Sequence, residues 1–473
     1  MKNNLPNNWV ETKLKDLGTY INGRTFKAAE WKNEGLPIIR IQNLNNNKAS
    51  FNYSSGKFDE KFKVKNGDLL MAWSASLGVY FWKGGDAWLN QHIFKVVNND
   101  KIILKNFLYY CLLISIEDFY SKTHGSGIVH ITKPTFENHQ VPLPPLPEQE
   151  RIVAKLDALF AQHEAMKKAL ERIPQLLKDF RQQVLTQAIM GKLTSDWRED
   201  KNLDGKILLK TVLDKKQELS VKIKISNLEE FNVSEKLFPD TWAFGNPGEI
   251  ADPAKYALSI GPFGSNLKVD DYQDNGVPLV FVRHIKSGNF NELSPKFISS
   301  EKALELDAHS VESLDLLITK MGEPPGDCEI YPENFPKAII TSDCLKFRVW
   351  SEYFNRIFYK HVINSSFVKE QLGLITFGVA QQKISLERFR SIKLPIPPLE
   401  EQQEIVSIIE SLFNKVDIIE KRYKALKEKI DSLPQAILHK AFKGELVPQL
   451  PTDGDAKDLL KEILKLKKEV KKK

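Results

Sequence analysis

The residues of this sequence that could do chemistry are polar and basic side chains in loops. Its nine histidines and many carboxylates are scattered, and no Ser-His-Asp or metal-ligand spacing stands out. Cys111, Cys328 and Cys344 lack CxxC spacing, which predicts reduced core thiols. Lys and Arg bind phosphates, while Arg, Lys, Gln, Asn, Ser and Thr read base edges. The chemistry predicted is therefore non-covalent recognition, and the mild excess of Lys and Arg would suit a polyanionic partner.

Candidate contact residues occur as clusters beside apolar segments in both halves of the chain. In the first half they are Arg24, Thr25 and Lys27 in NGRTFK, Gln42 and Asn43 after IRI, Ser74 and Ser76 in WSAS, and Ser126 and His130 in GSGIVH. In the second half they are Ser265, Asn266 and Lys268 in GPFGSNLK, His284 and Lys286 after FVR, Lys320, and Gln381, Gln382 and Lys383. A solvated surface role is at least as common for any one of them, so the prediction concerns the clusters. Arg40 and Arg283 are left out because they lie inside apolar segments expected to be strands.

Composition indicates a globular chain of more than one domain. Of 473 residues, 42% are hydrophobic and 27% are charged, and 68 Lys and Arg against 61 Asp and Glu give a net charge of +7. The first residues have no apolar signal segment, and no run of about 18 apolar residues follows, so we expect a cytoplasmic protein with no membrane span.

The C-terminal half restates the N-terminal half segment by segment. LPNNW at 5–9 returns as FPDTW at 238–242, and GLPIIRIQNL from Gly35 returns as GVPLVFVRHI from Gly276. ITKPTFENHQVPLPPLPEQERIV from Ile131 aligns without a gap to ISLERFRSIKLPIPPLEEQQEIV from Ile384. The front portions drift while the back portions keep their register, which predicts two adaptable domains, each followed by a spacer of fixed geometry.

Each Pro-rich stretch precedes a heptad pattern that predicts a coiled-coil helix. The seam residues are Leu156, Leu159, His163, Met166 and Leu170 in the first copy, and Ile409, Leu412, Val416, Ile419, Tyr423 and Leu426 in the second. Gly191 and Gly444 are predicted to end the two helices, and Pro174 and Pro434 are possible kinks. Two such helices in one chain favour an antiparallel pair, with Leu159 near Ile430 and His163 near Leu426. A dimerisation stalk is the alternative that such a seam on its own would allow.

The duplicated block of G-x-x-x-x-x-I, a Pro-rich stretch, then EQ and a heptad helix resembles the DNA-specificity subunit of type I restriction-modification systems. The resemblance covers essentially residues 1–447. It implies an α+β fold in which two similar target recognition domains alternate with two long helices that pair as an antiparallel coiled coil, a pseudo-two-fold internal repeat. The expected boundaries are 1–145 and 237–398 for the recognition domains, 146–194 and 399–447 for the spacers, 195–236 for a partly helical linker, and 448–473 for a Lys-rich tail.

The resemblance also implies a division of labour. This chain would recognise double-stranded DNA as a bipartite asymmetric site, while two modification subunits methylate adenine and restriction subunits translocate and cleave DNA. S-adenosylmethionine, ATP and Mg would then be bound by those partners, and no cofactor, metal or catalytic residue is expected here. The sequence agrees, since it has no [ND]PP[FY], GxGxxG or GxxxxGK[ST] element.

Two regions depart from the family pattern. The second copy has a Gln-containing run from Gly378 to Ile384, whereas the first has GSGIVHI without Gln, so the two domains are expected to contact DNA differently. The tail after Leu450 lies outside the resemblance and is interpreted as a short amphipathic helix with a basic end, or a solvated segment. Two other classes stay open, a lone DNA-modifying enzyme and a coiled-coil adaptor without DNA affinity.

Overall fold

The computed structural model describes residues 5–46, 48–121, 130–223, 237–291, 295–322, 324–374 and 383–470. The chain forms two compact units. The first unit comprises residues 1–171 and 424–473, and the second comprises residues 172–423. Each unit therefore combines one recognition domain with parts of both predicted spacers, a division that crosses the boundaries expected from sequence.

The elements of the first half follow in chain order. Its strands are β1 Val10–Lys13, β2 Gly18–Asn22, β3 Leu36–Ile39, β4 Asn52–Ser54, β5 Lys63–Val64, β6 Leu69–Ala72, β7 Gly78–Phe81, β8 Ala87–Leu89, β9 Ile93–Asn98 and β10 Gln140–Leu143. Its helices are α1 Ile41–Asn45, α2 Lys105–Ser121, α3 Lys133–Glu137, α4 Leu146–Glu171, α5 Ile173–Ile189, α6 Ser195–Glu199 and α7 Gly205–Glu218.

The elements of the second half repeat this order with small changes. The strands are β11 Ala243–Gly245, β12 Leu258–Ile260, β13 Val277–Val280, β14 Phe297–Ile298, β15 Ser310–Val311, β16 Leu316–Thr319, β17 Cys328–Ile330, β18 Ala338–Ile340, β19 Cys344–Phe347 and β20 Leu394–Ile396. The helices are α8 Pro247–Ile250, α9 Val282–Ser287, α10 Ser300–Glu305, α11 Arg356–Asn364, α12 Ser366–Leu374, α13 Leu386–Ser391, α14 Leu399–Phe442 and α15 Lys457–Val470.

The two recognition domains have the same sheet topology. In the first, β2-β9-β6-β7 and β4-β3-β8-β5 form four-stranded sheets, and β1 pairs with β10. In the second, β12-β19-β16-β17 and β14-β13-β18-β15 repeat those orders, and β11 pairs with β20. Every residue of the apolar strands β6 and β16 is buried, which is why these strands sit inside their sheets. The predicted α+β internal repeat is confirmed.

In each unit the helical spacer segments run antiparallel. In the first unit, Ile152 and Leu156 near the start of α4 share a core with Ile437 and Phe442 near the end of α14. In the second unit, Val184, Leu185 and Ile189 near the end of α5 share a core with Ile405 and Ile409 near the start of α14. The antiparallel expectation is therefore confirmed within each unit.

The buried stripe of the spacer helices is narrower than the predicted seam. Leu156, Leu170, Ile409 and Val416 are buried, and Leu159, Leu412 and Tyr423 are partly buried. Met166, Ile419 and Leu426 are 40%, 48% and 47% exposed, so these three seam residues were wrongly expected to be buried.

His163 contacts α14 one helical turn away from the neighbour that the heptad pattern predicts. Its Nε2 lies 3.0 Å from the carbonyl oxygen of Ile430, where Leu426 was the expected neighbour. Because a carbonyl oxygen only accepts, Nε2 must carry the proton. The buried imidazole thus satisfies its polarity on backbone, as a structural residue of the helix pair.

The two prolines of the spacer helices, Pro174 and Pro434, have different effects on helix continuity, whereas Gly191 and Gly444 both lie just after a helix end. α4 ends at Glu171 and α5 begins at Ile173, with Pro174 in its first turn, whereas α14 continues through Pro434. Gly191 and Gly444 have φ of 68° and 76°, the left-handed region favoured for glycine at helix ends. The predicted ends of both helices are confirmed.

A buried Glu-Gln pair anchors each spacer helix to its recognition domain. Gln149 donates to the carbonyl oxygens of Ile102 and Pro144, and Gln402 donates to that of Pro397. Glu148 accepts from Asn8 and Gln449, whereas Glu401 accepts from Thr194, Arg198 and Trp242. The side chains of all four anchor residues are fully buried. The EQ sequence is therefore a structural anchor, because a buried amide or carboxylate must be hydrogen-bonded.

The tail interpreted from sequence as lying outside the repeat is the second copy of the linker helix α7. Residues 204–218 and 455–469 are identical at eight of fifteen positions. The backbone N–H of Gly205 donates to the carbonyl oxygen of Thr241, and that of Ala456 donates to Asn8. Asp204 and Asp455 accept from the backbone two residues later. The repeat thus extends to the end of α15, and the amphipathic-helix interpretation of the tail is the one that holds.

Candidate nucleic-acid interface

In the first domain, three segments meet beside the ends of β6 and β9. The N–H of Trp73, just after β6, donates to the carbonyl oxygen of His92, and the N–H of Ile131 donates to that of Trp73. A β-bridge pairs Ser74 with His130. Backbone hydrogen bonds therefore fix Trp73, His92 and His130 side by side. We call these three residues the first-domain site.

The rings of the first-domain site contact one another directly. The Trp73 ring centroid lies 5.0 Å from that of His92 and 4.9 Å from that of His130, both in edge-on geometry. Trp73 also stacks on the buried Phe94, and its indole N–H donates to Asn22. One face of the site thus rests on the core, while His130 is exposed to solvent. Such a surface offers stacking, apolar contact and imidazole hydrogen bonds.

His92 is held in an uncommon conformation and as an uncharged ring. Its φ is 74°, in the left-handed region that a residue other than glycine occupies at a cost of roughly 1 kcal/mol. Burial, and then the neighbouring His130, lower the pKa of His92 below its ordinary value. The ring is therefore a neutral donor and acceptor at pH 7.

The second domain builds the same backbone arrangement from charged side chains. The N–H of Lys320 donates to the carbonyl oxygen of Asp343, the N–H of Ile384 donates to that of Lys320, and Met321 bridges Lys383. We call Lys320, Asp343 and Lys383 the second-domain site. Desolvation lowers the pKa of Lys320, and the Lys383 charge lowers it further, while Asp343 opposes both. This site presents two cationic donors and one carboxylate.

The predicted clusters around Ser74 and Lys320 thus come together with residues distant in sequence. Ser74 and His130 share one bridge, and Lys320 lies beside Lys383. Thr25 is exposed and donates to Gln91, the residue before His92. This places the Thr25 loop next to the first-domain site.

Several candidates lie elsewhere than expected. Asn43 and His284 are buried, and each accepts a hydrogen bond from the backbone N–H that starts a short helix, α1 or α9. Ser74 is also buried, at 6% exposure. Because these side chains are enclosed, the expectation that they lie on exposed loops is wrong.

The arginines also correct the sequence analysis. Arg24 pairs with Glu30 at 2.7 Å and lies over the ring of Phe58, so its guanidinium helps hold its own loop. Arg40 is the N-cap residue between β3 and α1, and Arg283 lies within α9, where strands were expected. Short apolar runs do not by themselves distinguish a strand from a helical turn.

The other candidates divide by exposure. Ser76 and Lys320 are partly buried, and Lys320 Nζ also donates to the carbonyl oxygen of Ser342. Ser126, Gln381 and Gln382 lie outside the described residues. The exposed candidates are Thr25, Lys27, Gln42, His130, Ser265, Asn266, Lys268, Lys286 and Lys383.

Sequence reasoning missed Asn22, Gln91, His92 and Asp343, and did not include Trp73 among the candidate contact residues. The available signal was a polar turn between two apolar strands, NQH in WLNQHIFKVV and TSD in IITSDCLKF.

No helix among the described residues is both long and apolar enough to span a membrane. Within the same residues, no group of His, Cys, Asp and Glu is arranged for a metal ion.

The fold and the two sites define the class of this protein. It is a duplicated α+β protein with polar sites at matching positions of its two domains. Residues 6–175 and 297–428 match the family described as the type I restriction modification DNA specificity domain. The chain belongs to this family, and the resemblance seen in the sequence is confirmed.

Relatives agree with this assignment, and a solved structure has a similar fold. The chain is 29% identical to the type I restriction enzyme EcoBI specificity subunit of Escherichia coli, over 93% of this chain and 87% of that protein. It is 23% identical to the MjaVIII specificity subunit of Methanocaldococcus jannaschii, over 93% and 94% of the two chains. The crystal structure of the HsdS subunit from Thermoanaerobacter tengcongensis has a similar fold, with a TM-score of 0.56 at 18% identity over 93% and 98%.

Proposed function

We propose that this chain binds one DNA duplex at a split asymmetric site, with one half-site read by each recognition domain. The observation that carries the proposal is that two domains with the same sheet topology present different side chains at the same backbone position. Trp73, His92 and His130 in one domain stand where Lys320, Asp343 and Lys383 stand in the other. Different donors and acceptors on one scaffold would select different bases.

The chain would act through partners. Two modification subunits would methylate adenine, and restriction subunits would join the complex, all within the cytoplasm. Support comes from the repeat itself, which extends to the linker helices α7 and α15 and so supplies two copies of a similar surface. A solved chain with a TM-score of 0.59 at 18% identity comes from a structure that concerns complex assembly of the type I R-M system.

Cofactors are proposed to belong to the partners. S-adenosylmethionine would be held by the modification subunits, and ATP and Mg by the restriction subunits. Binding of the methyl donor by this chain alone would contradict the proposal. Isothermal titration of the isolated chain with S-adenosylmethionine measures this directly.

The decisive test is a genome-wide map of adenine methylation. Cells would express the chain with its modification subunit, and matched cells would lack only this chain. We expect a chain-dependent split motif methylated on both strands. A stable complex without chain-dependent methylation would contradict the proposal.

A domain exchange tests the modular part of the proposal. Replacing residues 1–140 with another recognition domain should change one half of the motif and leave the other half intact. A change in both halves would show that the domains do not read DNA independently.

A further inference from the structure

Each recognition domain has one site of three residues. The backbone arrangement of this site is the same in the two domains, whereas the side-chain chemistry differs. The hydrogen bond from Trp73 N to His92 O measures 3.0 Å, and that from Lys320 N to Asp343 O measures 2.8 Å. The next one, from Ile131 N to Trp73 O, measures 3.1 Å, against 3.0 Å from Ile384 N to Lys320 O. Side chains at these positions therefore leave equivalent backbone sites.

Exposure also matches across the two sites. Trp73 and Lys320 are partly buried, His92 and Asp343 are partly buried, and His130 and Lys383 are exposed. In each site the outer side chain reaches solvent while the inner ones are held against the domain. A rigid inner pair with an accessible outer residue suits recognition, because less freedom is lost on binding.

The chemistry of the two sites is opposed. The first-domain site joins an indole and two imidazoles, whose ring centroids lie about 5 Å apart across Trp73. The second-domain site joins two ammonium groups and a carboxylate, close enough that each affects the ionisation of Lys320. The two domains thus build the same backbone arrangement with different side chains at these positions.

We propose that residues 73, 92 and 130, and residues 320, 343 and 383, are the specificity-determining positions through which the two domains read different half-sites. This inference rests on the proposed function and assigns the reading to particular residues. The ammonium groups of Lys320 and Lys383 favour acceptor-bearing base edges such as guanine O6 and N7. The indole of Trp73 and the uncharged imidazole of His92 favour apolar contact, as with the thymine methyl group, and neutral hydrogen bonds, and His130 adds an exposed imidazole.

The test exchanges the outer residues between the domains. His130→Lys and Lys383→His would each be expressed in the full chain with its modification subunit, and adenine methylation would be mapped. Both residues are exposed, so neither substitution should disturb folding, and thermal unfolding of the purified complexes checks this. Lys101→His and Lys337→His are the matched controls, on exposed residues of the first and second units. Lys337 precedes β18, at the opposite end of that strand from Asp343.

We expect each exchange to alter base preference at one or two positions in one half-site by about tenfold or more. The other half-site should be unchanged, and both controls should keep the original motif. Selection of bound duplexes from a pool, using the purified complexes, measures the same preference where methylation in cells is weak.

Two results would overturn the inference. One is an unchanged motif with both exchanges, and the other is a change in both halves from a single exchange. Failure of the proposed function would look different, since the parent chain would then direct no split motif at all. A parent motif with unaffected exchanged variants rejects only the assignment of these positions.

Discussion

The two recognition domains are alike where each meets its spacer helix and unlike where each presents its site. Gln149 and Gln402 make similar buried bonds to backbone. Glu148 has two amide partners, whereas Glu401 has an arginine, a threonine and an indole. The sites differ entirely in chemistry. The comparison teaches that the repeat keeps the geometry of its anchors and varies what is exposed.

Breaking the anchors should give the largest effects. Glu401→Ala would remove the partner of Arg198 and Trp242, and we expect it to lower the free energy of unfolding by roughly 3 kcal/mol, since it leaves a part-buried cation unpaired. Glu148→Ala removes only neutral partners and should cost about 1–2 kcal/mol. Urea unfolding with hydrogen exchange in each unit measures both. Equal losses would contradict the asymmetry of the anchors.

The next largest effect is expected from low pH, which should lower the stability of the second unit more than that of the first. His361 in α11 contacts the ring of Phe413, at the position where Tyr110 in α2 stacks on Phe160. Burial, and then Lys360, lower the pKa of His361 to about 4, so below its unfolded pKa near 6.5 the unfolded state binds more protons. The stability of the second unit should therefore fall as pH drops from 6.5 to 4, by up to about 3 kcal/mol.

Two matched variants exchange the residue types at this position between the two units. His361→Tyr should remove this acid sensitivity, and Tyr110→His should introduce it in the first unit. Unfolding midpoints measured at pH 7, 5.5 and 4.5 test both. Equal pH profiles for the parent and His361→Tyr would reject the assignment to this histidine.

The linker helix of the second unit contains a buried cation. Lys216 Nζ donates to the carbonyl oxygens of Gly248, Glu249 and Ala251, and burial lowers its pKa to about 8. Lys216→Met should destabilise the second unit by about 1–3 kcal/mol, because the carbonyls lose their donor. Lys215→Met, on the exposed face of α7, should change stability by less than about 0.5 kcal/mol. Thermal unfolding compares the two neighbours.

The smallest expected effect concerns the salt dependence of DNA affinity, which should differ between variants of the two sites. If Lys383 contacts DNA through its charge, Lys383→Ala should reduce the slope of log affinity against log salt by about one. His130→Ala should change that slope less, because none of the three residues of the first-domain site is a lysine or an arginine. Fluorescence anisotropy with a cognate duplex between 50 and 200 mM salt gives both slopes. Equal slopes for the two variants would contradict the electrostatic difference between the domains.

Some of this protein was determined by sequence alone. The repeat, the alternation of domain and spacer, the antiparallel helices and the glycine ends follow from periodicity and turn chemistry, which are local properties. Clusters around Ser74, His130, Lys320 and Lys383 were also visible, because polar residues interrupt apolar segments there. The family followed from the same repeat.

The tertiary structure decided which polar residues are free and which are structural. Asn43, His284 and Glu401 are polar residues of the kind that contact ligands, but their side chains are buried within their own domains. Trp73, His92 and His130 are separated in sequence and are joined only when β6 and β9 lie side by side. Heptad spacing likewise did not say that Met166 and Ile419 stay exposed. Burial depends on what other segments cover, and that information is distributed over the whole chain.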